Sequence, residues 1–247
     1  MKYFFVADVH GEYDKMVAAL DAAGFNPKVD TIVSLGDAID RGPKSLEVVK
    51  YLLSCPNRII IMGNHEGRFK EIMLGKSANK YDVHNGVNET LSSFCGGARF
   101  YGVSGISAGV VAFKTDDRYK DNYHMFSRYL AESHYAAEWG DLIATHGWLP
   151  NVAGSVYPNW RDAGRDVWYD ATWANTNMCV AQVDRLEKKL VVGHWHTAKV
   201  RRLFGDKSNS DLIFSTDKLI AIDGCANAPN GVVNVLVCEL EDEPIFY

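Results

Sequence analysis

Short hydrophobic runs that end in polar side chains are the main pattern along the chain. Five of them are continuous rather than alternating in hydrophobicity, which is typical of strands buried on both faces of a sheet. They read "KYFFVAD", "TIVSLGD", "RIIIMGN", "DLIATHG" and "KLVVGHWH". Apolar residues recur at helical spacing between the first three runs, at Met16, Leu20 and Ala23 and again at Leu46, Val49 and Leu53. This order of strand, helix, strand, helix, strand predicts an α/β fold.

Two further strand-like runs lie near the end of the chain, "KLIAIDG" and "VVNVLVCEL". The turn formers of "CANAPNG" separate them, so we expect a hairpin of antiparallel strands in a second sheet. The predicted fold is a two-sheet β-sandwich flanked by helices, in α/β/β/α layers. We expect residues 1–247 to form a single domain. The stretch 75–139 is less periodic, and its segments "GKSANKYDVHNG" and "TDDRYKDNYH" resemble loops, so we expect an irregular insertion there.

Composition narrows the class of protein. With 47% hydrophobic residues, the 247-residue chain can bury one large core. Its net charge of −5, without basic runs, indicates no nucleic-acid partner. The five cysteines are scattered and odd in number, which predicts reduced thiols in the cytoplasm. The apolar start of "MKYFFVADVH" is too short for a signal peptide and no run could span a membrane, so we expect no membrane association.

Candidate ligands for metal ions follow the predicted strands. In open α/β sheets, binding sites form where the carboxyl ends of strands meet. A mixture of carboxylate, imidazole and amide groups suits divalent ions such as Mn²⁺, Fe²⁺ or Zn²⁺, and this set is large enough for two ions. The candidates are Asp8, His10, Asp37, Asp40, Asn64, His65, His146, His194 and His196.

Spacing suggests how some of these side chains converge. Alternation along an extended chain would put Asp8 and His10 on the same side, so that both face one ion. Asp37 lies in a tight turn after a strand and has two carboxylate oxygens, which makes it the natural bridge between two ions. Neighbouring glycines allow the backbone to approach the ions closely.

Taken together, "ADVHG", "LGDAIDRG", "GNHE", "THG" and "VVGHWHT" resemble the signature series of the calcineurin-like metallophosphoesterases. The form Gly-Asp-x-x-Asp-Arg-Gly, followed by Gly-Asn-His-Glu, is similar to the phosphoprotein phosphatase branch. That branch includes bacterial and phage lambda-type Ser/Thr protein phosphatases and the symmetrical diadenosine tetraphosphatases. The matching segments extend from Asp8 to Thr197.

The resemblance implies two divalent ions, with Mn²⁺ expected and Fe or Zn as alternatives. It implies that Asp8, His10 and Asp37 hold the first ion, and that Asp37, Asn64, His146 and His194 hold the second. The branch typically has Gly-His-Thr where this chain has "GHWHT", whereas the wider superfamily has Gly-His-x-His with its second histidine on the first ion. We therefore expect His196 to bind the first ion, and a position at the rim of the site is the alternative.

The resemblance also implies the chemistry. A metal-bound hydroxide would attack the phosphorus of a phosphate monoester directly, without a phosphoenzyme. His65 would donate a proton to the leaving alkoxide, with Asp40 accepting a hydrogen bond from its other ring nitrogen. Arg41 would bind phosphate oxygens, for which its planar fork is suited, and Asn64 would also contact the substrate.

One departure concerns a second phosphate-binding arginine. The phosphoprotein phosphatases usually have one shortly after a tryptophan, between the last two metal motifs. Here the segment reads "NWRDAGRDVWYDATWANTN". Arg161 is the candidate replacement, and the alternative is that the site has no second phosphate-binding arginine.

The substrate is expected to be a phosphorylated protein or a small phosphoester. Two alternatives remain open: a hydrolase of dinucleoside polyphosphates such as diadenosine tetraphosphate, and a metal-binding scaffold without catalysis. The converging ligands argue against the scaffold, which would have no chemical need for them.

Overall fold

A computed structural model describes residues 1–152, 155–156, 159–174 and 180–247. Its helices are α1 (Tyr13–Ala22), α2 (Ser45–Ser54), α3 (Asn64–Met73), α4 (Lys80–Asn85), α5 (Val87–Phe94), α6 (Gly102–Thr115), α7 (Lys120–Ala131), α8 (Arg165–Thr172) and α9 (Thr197–Leu203). Within the described residues, three 3₁₀ turns cover Asp117–Tyr119, Trp160–Asp162 and Val183–Arg185. The strands are β1 (Lys2–Val6), β2 (Thr31–Ser34), β3 (Arg58–Ile61), β4 (Ser133–His134), β5 (Ala136–Trp139), β6 (Leu142–Thr145), β7 (Asn151–Val152), β8 (Ser155–Val156), β9 (Lys189–Val192), β10 (Phe214–Ser215), β11 (Leu219–Ala221), β12 (Leu236–Glu239) and β13 (Ile245–Phe246).

The strands form two large sheets and one small ribbon. The first sheet has the order β12-β1-β2-β3-β4, in which β1 to β4 are parallel and β12 is antiparallel to β1. The second has the order β10-β11-β9-β6-β5-β13, with β11, β9 and β6 parallel to one another. The ribbon pairs β7 with β8. The five strands predicted from continuous apolar runs are all present, and nearly all of their residues are buried.

The two sheets pack face to face through large apolar side chains. Phe5 and Ile61 of the first sheet belong to the same buried cluster as Trp139, Ala144 and Val191 of the second. The outer face of the first sheet is covered by α1, α2, α3, α5, α6 and α7. The outer face of the second carries α8 and α9, whose Trp168 and Val200 are buried against it. The layer order is the predicted α/β/β/α sandwich.

The prediction of irregular structure at 75–139 is wrong in its local detail, because most of that stretch is helical. It contains α4 to α7 and the strands β4 and β5. Glycines obscured the helical pattern of α6, where packing needs them: a Cβ on Gly109 would lie 2.9 Å from Leu91 Cδ1, and one on Gly105 would lie 2.9 Å from the backbone of Phe100. Tertiary packing thus overrides a weak local propensity.

The predicted hairpin near the end of the chain is also wrong. β11 lies in the second sheet beside β9, whereas β12 lies in the first sheet beside β1. The intervening turn formers carry the chain from one sheet to the other instead of reversing it within one. A turn-rich sequence marks a change of direction but does not specify the partner of the next strand. Among the described residues, no helix is both long enough and apolar enough to cross a membrane.

Candidate metal centre and active site

The predicted ligands lie where the parallel strands of both sheets end. Asp8, Asp37 and Asn64 follow β1, β2 and β3, while His146 and His194 follow β6 and β9. Asp8, Asp37, Asn64 and His146 are all no more than 3% exposed. The two sheets thus bring residues far apart in sequence to one edge of the sandwich.

Left-handed backbone, rather than extended chain, turns these side chains toward one another. Asp8 and His10 have φ of 50° and 46°, so the predicted alternation along an extended strand is wrong for this pair. Asp37, Asp40 and Arg41 also have positive φ, at 54°, 69° and 64°. Left-handed conformations are costly for residues other than glycine and cluster at functional sites. Backbone bonds hold them here, including His10 N–H to Asp37 O at 2.8 Å and Asp8 N–H to Gly36 O at 3.1 Å.

The carboxylate of Asp37 is at the centre of two groups of ligand atoms. Its Oδ2 lies 3.7 Å from Nε2 of His10, 3.7 Å from Nε2 of His65 and 3.4 Å from Nε2 of His146. One group comprises His10, Asp37 and His65, and the other comprises Asp37, His146 and His194, with the ligand atoms of each group within 4.8 Å of one another. A carboxylate shared by two such groups can bridge two cations.

Hydrogen bonds fix the ring nitrogens that face this centre. Nδ1 of His10 donates to Ile39 O at 2.8 Å, and Nδ1 of His146 donates to Leu35 O at 2.7 Å. Each neutral ring therefore presents Nε2 as a lone pair, which is the usual arrangement of a metal-binding histidine. Nε2 of His10 is buried without a hydrogen-bond partner in the described part of the chain. Nε2 of His146 lies 2.8 Å from Oδ1 of Asn64, a contact that a proton on the ring satisfies in the metal-free protein and that a bound cation would replace.

The electrostatics indicate the same need for positive charge. Burial alone would lower the pKa of His146, but Asp37, followed by Asp8 and Glu66, raises it to about 10. Burial raises the pKa of Asp8 well above its usual range, and Asp223 and Asp37 raise it further. Buried carboxylates that repel one another are stabilised by a cation.

Glu66 supports the centre through backbone contacts. Its Oε2 accepts the N–H of Asp37 at 2.8 Å and of Gly63 at 3.1 Å, and its Oε1 accepts the N–H of Ala38 at 2.8 Å. A Cβ on Gly63 would lie 2.2 Å from Oδ1 of Asp37, so only glycine fits at this position. Glu66 thus fastens the loops after β2 and β3 together.

His65, Asp40 and Arg41 form a connected chain beside the centre. Nδ1 of His65 donates to Oδ2 of Asp40 at 2.7 Å, and Nη2 of Arg41 lies 3.2 Å from Nε2 of the same ring. The other carboxylate oxygen of Asp40 accepts from the Thr90 hydroxyl at 2.5 Å. Burial would lower the pKa of His65, but the Asp37 charge and the Asp40 hydrogen bond together raise it.

Asp8 and His196 belong to neither group of close ligand atoms. Oδ2 of Asp8 accepts the backbone N–H of His194 at 2.7 Å, which joins the first sheet to the second at the centre. His196 directly precedes α9 and lines a cavity together with Arg41 and His194. Their predicted roles as ligands remain predictions.

Arg161 does not reach this edge of the sandwich, and its prediction as a phosphate-binding residue is corrected. Its guanidinium donates to both carboxylate oxygens of Glu138, at 2.8 and 3.0 Å, and stacks over Trp160 at 4.2 Å. Glu138 lies within β5, between Ala137 and Trp139, which face the first sheet, so Arg161 lies on the outer face of the second sheet. The paired carboxylate occupies the fork that would bind phosphate.

Asp223, a buried residue beyond the end of β11, lies near the site but is not among the residues predicted from the sequence. The charge of Asp223 raises the pKa of Asp8. Burial raises the pKa of Asp223 itself, and the nearby His196 opposes that rise. The signal was available, because "KLIAIDG" ends in Asp-Gly as the first two strand runs end in Asp. The run was interpreted only as half of a hairpin.

A two-sheet sandwich with carboxylate, imidazole and amide side chains on its converging strand ends is suited to holding divalent metal ions. Comparison with known families agrees: residues 1–222 match the calcineurin-like phosphoesterases. The chain belongs to this family, and the candidate ligands fit the divalent metals that the family uses.

Curated relatives are similar over part of the chain. A symmetrical bis(5'-nucleosyl)-tetraphosphatase of Buchnera aphidicola subsp. Acyrthosiphon pisum (strain Tuc7) is 40% identical over 94 residues, which are 38% of this chain and 34% of the relative. The enzyme of that name from Salmonella newport (strain SL254) is 38% identical over 81 residues, 32% of this chain and 29% of the relative. The matched segments therefore span about a third of the length of these relatives.

Solved structures share the fold over nearly the whole chain. A protein provisionally named a diadenosine tetraphosphatase has a TM-score of 0.54 at 17% identity, covering 96% of this chain and 93% of that chain. The cold-active protein-tyrosine phosphatase of a psychrophilic Shewanella species has a TM-score of 0.52 at 15% identity, covering 96% of this chain and 74% of that chain. At such identities the likeness establishes the fold alone.

Proposed function

We propose that this protein hydrolyses phosphate monoesters at a centre of two divalent cations. The observation that carries the proposal is the position of Asp37, whose carboxylate is shared by two groups of buried ligand atoms. Two further observations support it: Nε2 of His10 is buried without a partner in the described residues, and Nε2 of His146 faces Oδ1 of Asn64. A bound cation would satisfy each of these groups.

In this proposal, each cation has its own set of side chains. Asp8, His10, Asp37 and His196 would hold the first, and Asp37, Asn64, His146 and His194 would hold the second. Mn²⁺ suits this mixture of oxygen and nitrogen ligands, with Fe or Zn as alternatives. When bound, the pair would supply Lewis-acid stabilisation of the phosphoryl oxygens and acidify a water molecule.

The protein's own residues would orient the ester and move the proton. Arg41 would bind phosphate oxygens with the guanidinium edge that now contacts His65. His65 would protonate the leaving oxygen from Nε2, because Nδ1 is committed to Asp40. Asp40 favours the imidazolium form, and Thr90 holds Asp40 in place.

The proposed substrates are phosphorylated proteins or small phosphoesters. A second candidate is a dinucleoside polyphosphate, and the names of the curated relatives favour it over the aligned segment. The free cysteines Cys55, Cys95, Cys225 and Cys238 support the proposed cytoplasmic location, and Cys179 lies outside the described residues.

A substrate panel tests this function. The protein is stripped of metal, reloaded with Mn²⁺, and assayed on phosphopeptides, p-nitrophenyl phosphate, its bis-ester and diadenosine tetraphosphate. We expect hydrolysis of the monoesters that depends on added Mn²⁺. A folded, metal-loaded protein that hydrolyses none of them would instead be a scaffold.

Asp37→Asn tests the dinuclear centre directly. The substitution removes the charge shared by both ligand groups, so bound metal should fall and activity should nearly vanish. Metal content by elemental analysis and the rate on p-nitrophenyl phosphate measure the two effects. If both survive, Asp37 does not bridge two cations.

A further inference from the structure

A cleft of about 670 Å³ opens beside the proposed metal centre. Arg41, His194 and His196 form its inner end, and Lys199, Cys225 and Glu89 lie among the residues of its other walls. Pockets that hold small molecules typically measure about 300–1,000 Å³. One phosphate group would fill only part of this space, so the leaving group of a bound ester has room to enter the cleft.

Both walls of the cleft are anchored to the loops that carry the site. Gly86, between α4 and α5, packs so closely that a Cβ there would lie 2.1 Å from the backbone nitrogen of Arg41. On the opposite wall, the backbone N–H and hydroxyl of Thr197 donate to the carbonyl oxygen of Asp223 at 2.9 and 2.7 Å. The start of α9, and with it Lys199, is therefore held in a defined position relative to the scissile phosphate.

Lys199 is the basic residue of α9 that the protein leaves uncommitted. Arg201 pairs with Asp206 at 2.7 Å, and Arg202 donates to Asn209 at 2.8 Å. Lys199 is exposed to the cleft and has no polar partner in residues 1–152, 155–156, 159–174 and 180–247. A long cationic side chain that faces a ligand cavity without an internal partner is suited to an external anion.

Charge in the cleft is mainly positive. Among the lining residues that the structure describes, Arg41 and Lys199 are the Arg and Lys side chains and Glu89 is the one acidic residue. Burial raises the pKa of the Cys225 thiol, and the charges of Asp223 and Asp211 raise it further. The side chains of Arg41 and Lys199 both oppose that rise. The positive charges of Arg41 and Lys199 thus act on the same part of the cleft.

We propose that Lys199 is a specificity-determining residue that binds a phosphate group carried by the leaving group. The inference rests on the proposed phosphoesterase activity, in which Arg41 holds the scissile phosphate at the inner end. A second phosphate bonded to the first would extend into the cleft, where the ammonium of Lys199 lies on the lining without an internal partner among the described residues. Substrates with a phosphorylated leaving group would then be favoured over those with an uncharged one.

The experiment compares two substrates in the Mn²⁺-loaded enzyme. Diadenosine tetraphosphate has a leaving group with its own phosphate, and the nitrophenyl group of p-nitrophenyl phosphate has none. Lys199→Met should lower the ratio of kcat/KM for the first substrate over the second by about tenfold, mainly through KM, because one charge-assisted contact is lost. Lys199→Arg should keep most of the ratio. Arg202→Gln, on the same helix but outside the cleft, should leave it unchanged.

Ionic strength gives a second readout that packing changes would not move. The wild-type kcat/KM for diadenosine tetraphosphate should fall as salt rises, and Lys199→Met should weaken that dependence. An unchanged substrate ratio in Lys199→Met, or equal losses on both substrates, would overturn the role of Lys199 while leaving the activity intact. Dependence on Lys199 for an acidic phosphopeptide alone would also overturn it. If the wild type hydrolyses neither substrate, the proposed function fails and this inference fails with it.

Discussion

At the scale of single residues, the site stores conformational strain. Six of the seven non-glycine residues with positive φ among those described are predicted site residues, namely Asp8, His10, Asp37, Asp40, Arg41 and His194. Each such conformation costs about 1–2 kcal/mol, which the hydrogen bonds of the surrounding loops offset. These backbone conformations, held by the loop hydrogen bonds, position the candidate ligand atoms before any cation binds.

His65 should act as a proton donor and not as a ligand. Its help, typically worth about 10²- to 10⁴-fold, matters most for poor leaving groups such as a serine alkoxide. His65→Asn should therefore keep both metals and lose far more of its phosphoserine rate than of its p-nitrophenyl phosphate rate. Asp40→Asn should act in the same direction but less strongly.

Paired rate and metal measurements decide this assignment. Equal losses on the two substrates would rule out proton donation. A missing cation in His65→Asn would make His65 a ligand, as its place in the group with His10 and Asp37 allows.

His196 should contribute to one cation only. His196→Ala is expected to weaken the affinity for the first ion, while Asn64, His146 and His194 retain the second. Isothermal titration calorimetry of the metal-free protein with Mn²⁺ should show that one of the two binding affinities is lowered and the other is preserved. Unchanged affinity and stoichiometry would place His196 at the rim of the site.

The residues that converge on the candidate site could be predicted from the sequence, but not the way the backbone presents them. Asp37 and His146 can be predicted because apolar runs end at them. Such runs indicate buried strands, and hydrophobicity is visible directly in the sequence. The left-handed turn at Asp8 and His10 depends on hydrogen bonds to the neighbouring loop at Gly36 and Asp37. Such contacts join distant segments, so no local pattern could reveal them.

At the scale of elements, the helical pair α4 and α5 supports the loop that carries Asp40 and Arg41. Thr90 of α5 accepts the N–H of Asp40 at 2.8 Å and donates to its carboxylate, and Gly86 packs on Arg41. Sequence periodicity could not predict this pair, because α4 has only six residues and is bounded by loop-forming Asn79 and Gly86. The helices nevertheless form one wall of the cleft.

Gly86→Ala should reduce activity by displacing Arg41. Gly86 has φ of 96°, and a Cβ there would overlap the Arg41 backbone. Gly24→Ala is the matched control, since Gly24 has φ of 78° but open space where its Cβ would lie. Both variants incur a left-handed penalty of about 1 kcal/mol, so melting temperatures should drop in each. Only Gly86→Ala should lower kcat/KM for p-nitrophenyl phosphate, and equal kinetics would show that Arg41 tolerates the displacement.

At the scale of the whole molecule, a buried carboxylate with partly exposed cationic partners on the second sheet should make stability depend on pH. Burial would raise the pKa of Glu138, but hydrogen bonds from Arg161, Lys188 and Tyr247 lower it from its usual 4.5 to about 2. A lowered carboxylate pKa stabilises the fold above pH 4.5, and this contribution is lost as pH falls toward 2. It amounts to no more than about 3 kcal/mol.

Urea unfolding of the metal-free protein between pH 7 and pH 2 measures this contribution. Glu138→Gln should be less stable than the wild type at pH 7, and the difference should shrink as the medium becomes acidic. Glu187, an exposed neighbour whose carboxylate lies 3.6 Å from Arg161, provides the control. Glu187→Gln should track the wild type at every pH, and the same behaviour in Glu138→Gln would show that the pair adds no stability.

The pairing of β1 with β12 has a consequence for synthesis on the ribosome. Tyr3 to Phe5 pair with Leu236 to Cys238, so one edge of β1 stays open during synthesis until residue 236 has been made. Open edges rich in aromatic residues are templates for wrong pairing between chains. Nascent chains that stall before residue 236 should therefore be the ones that engage chaperones.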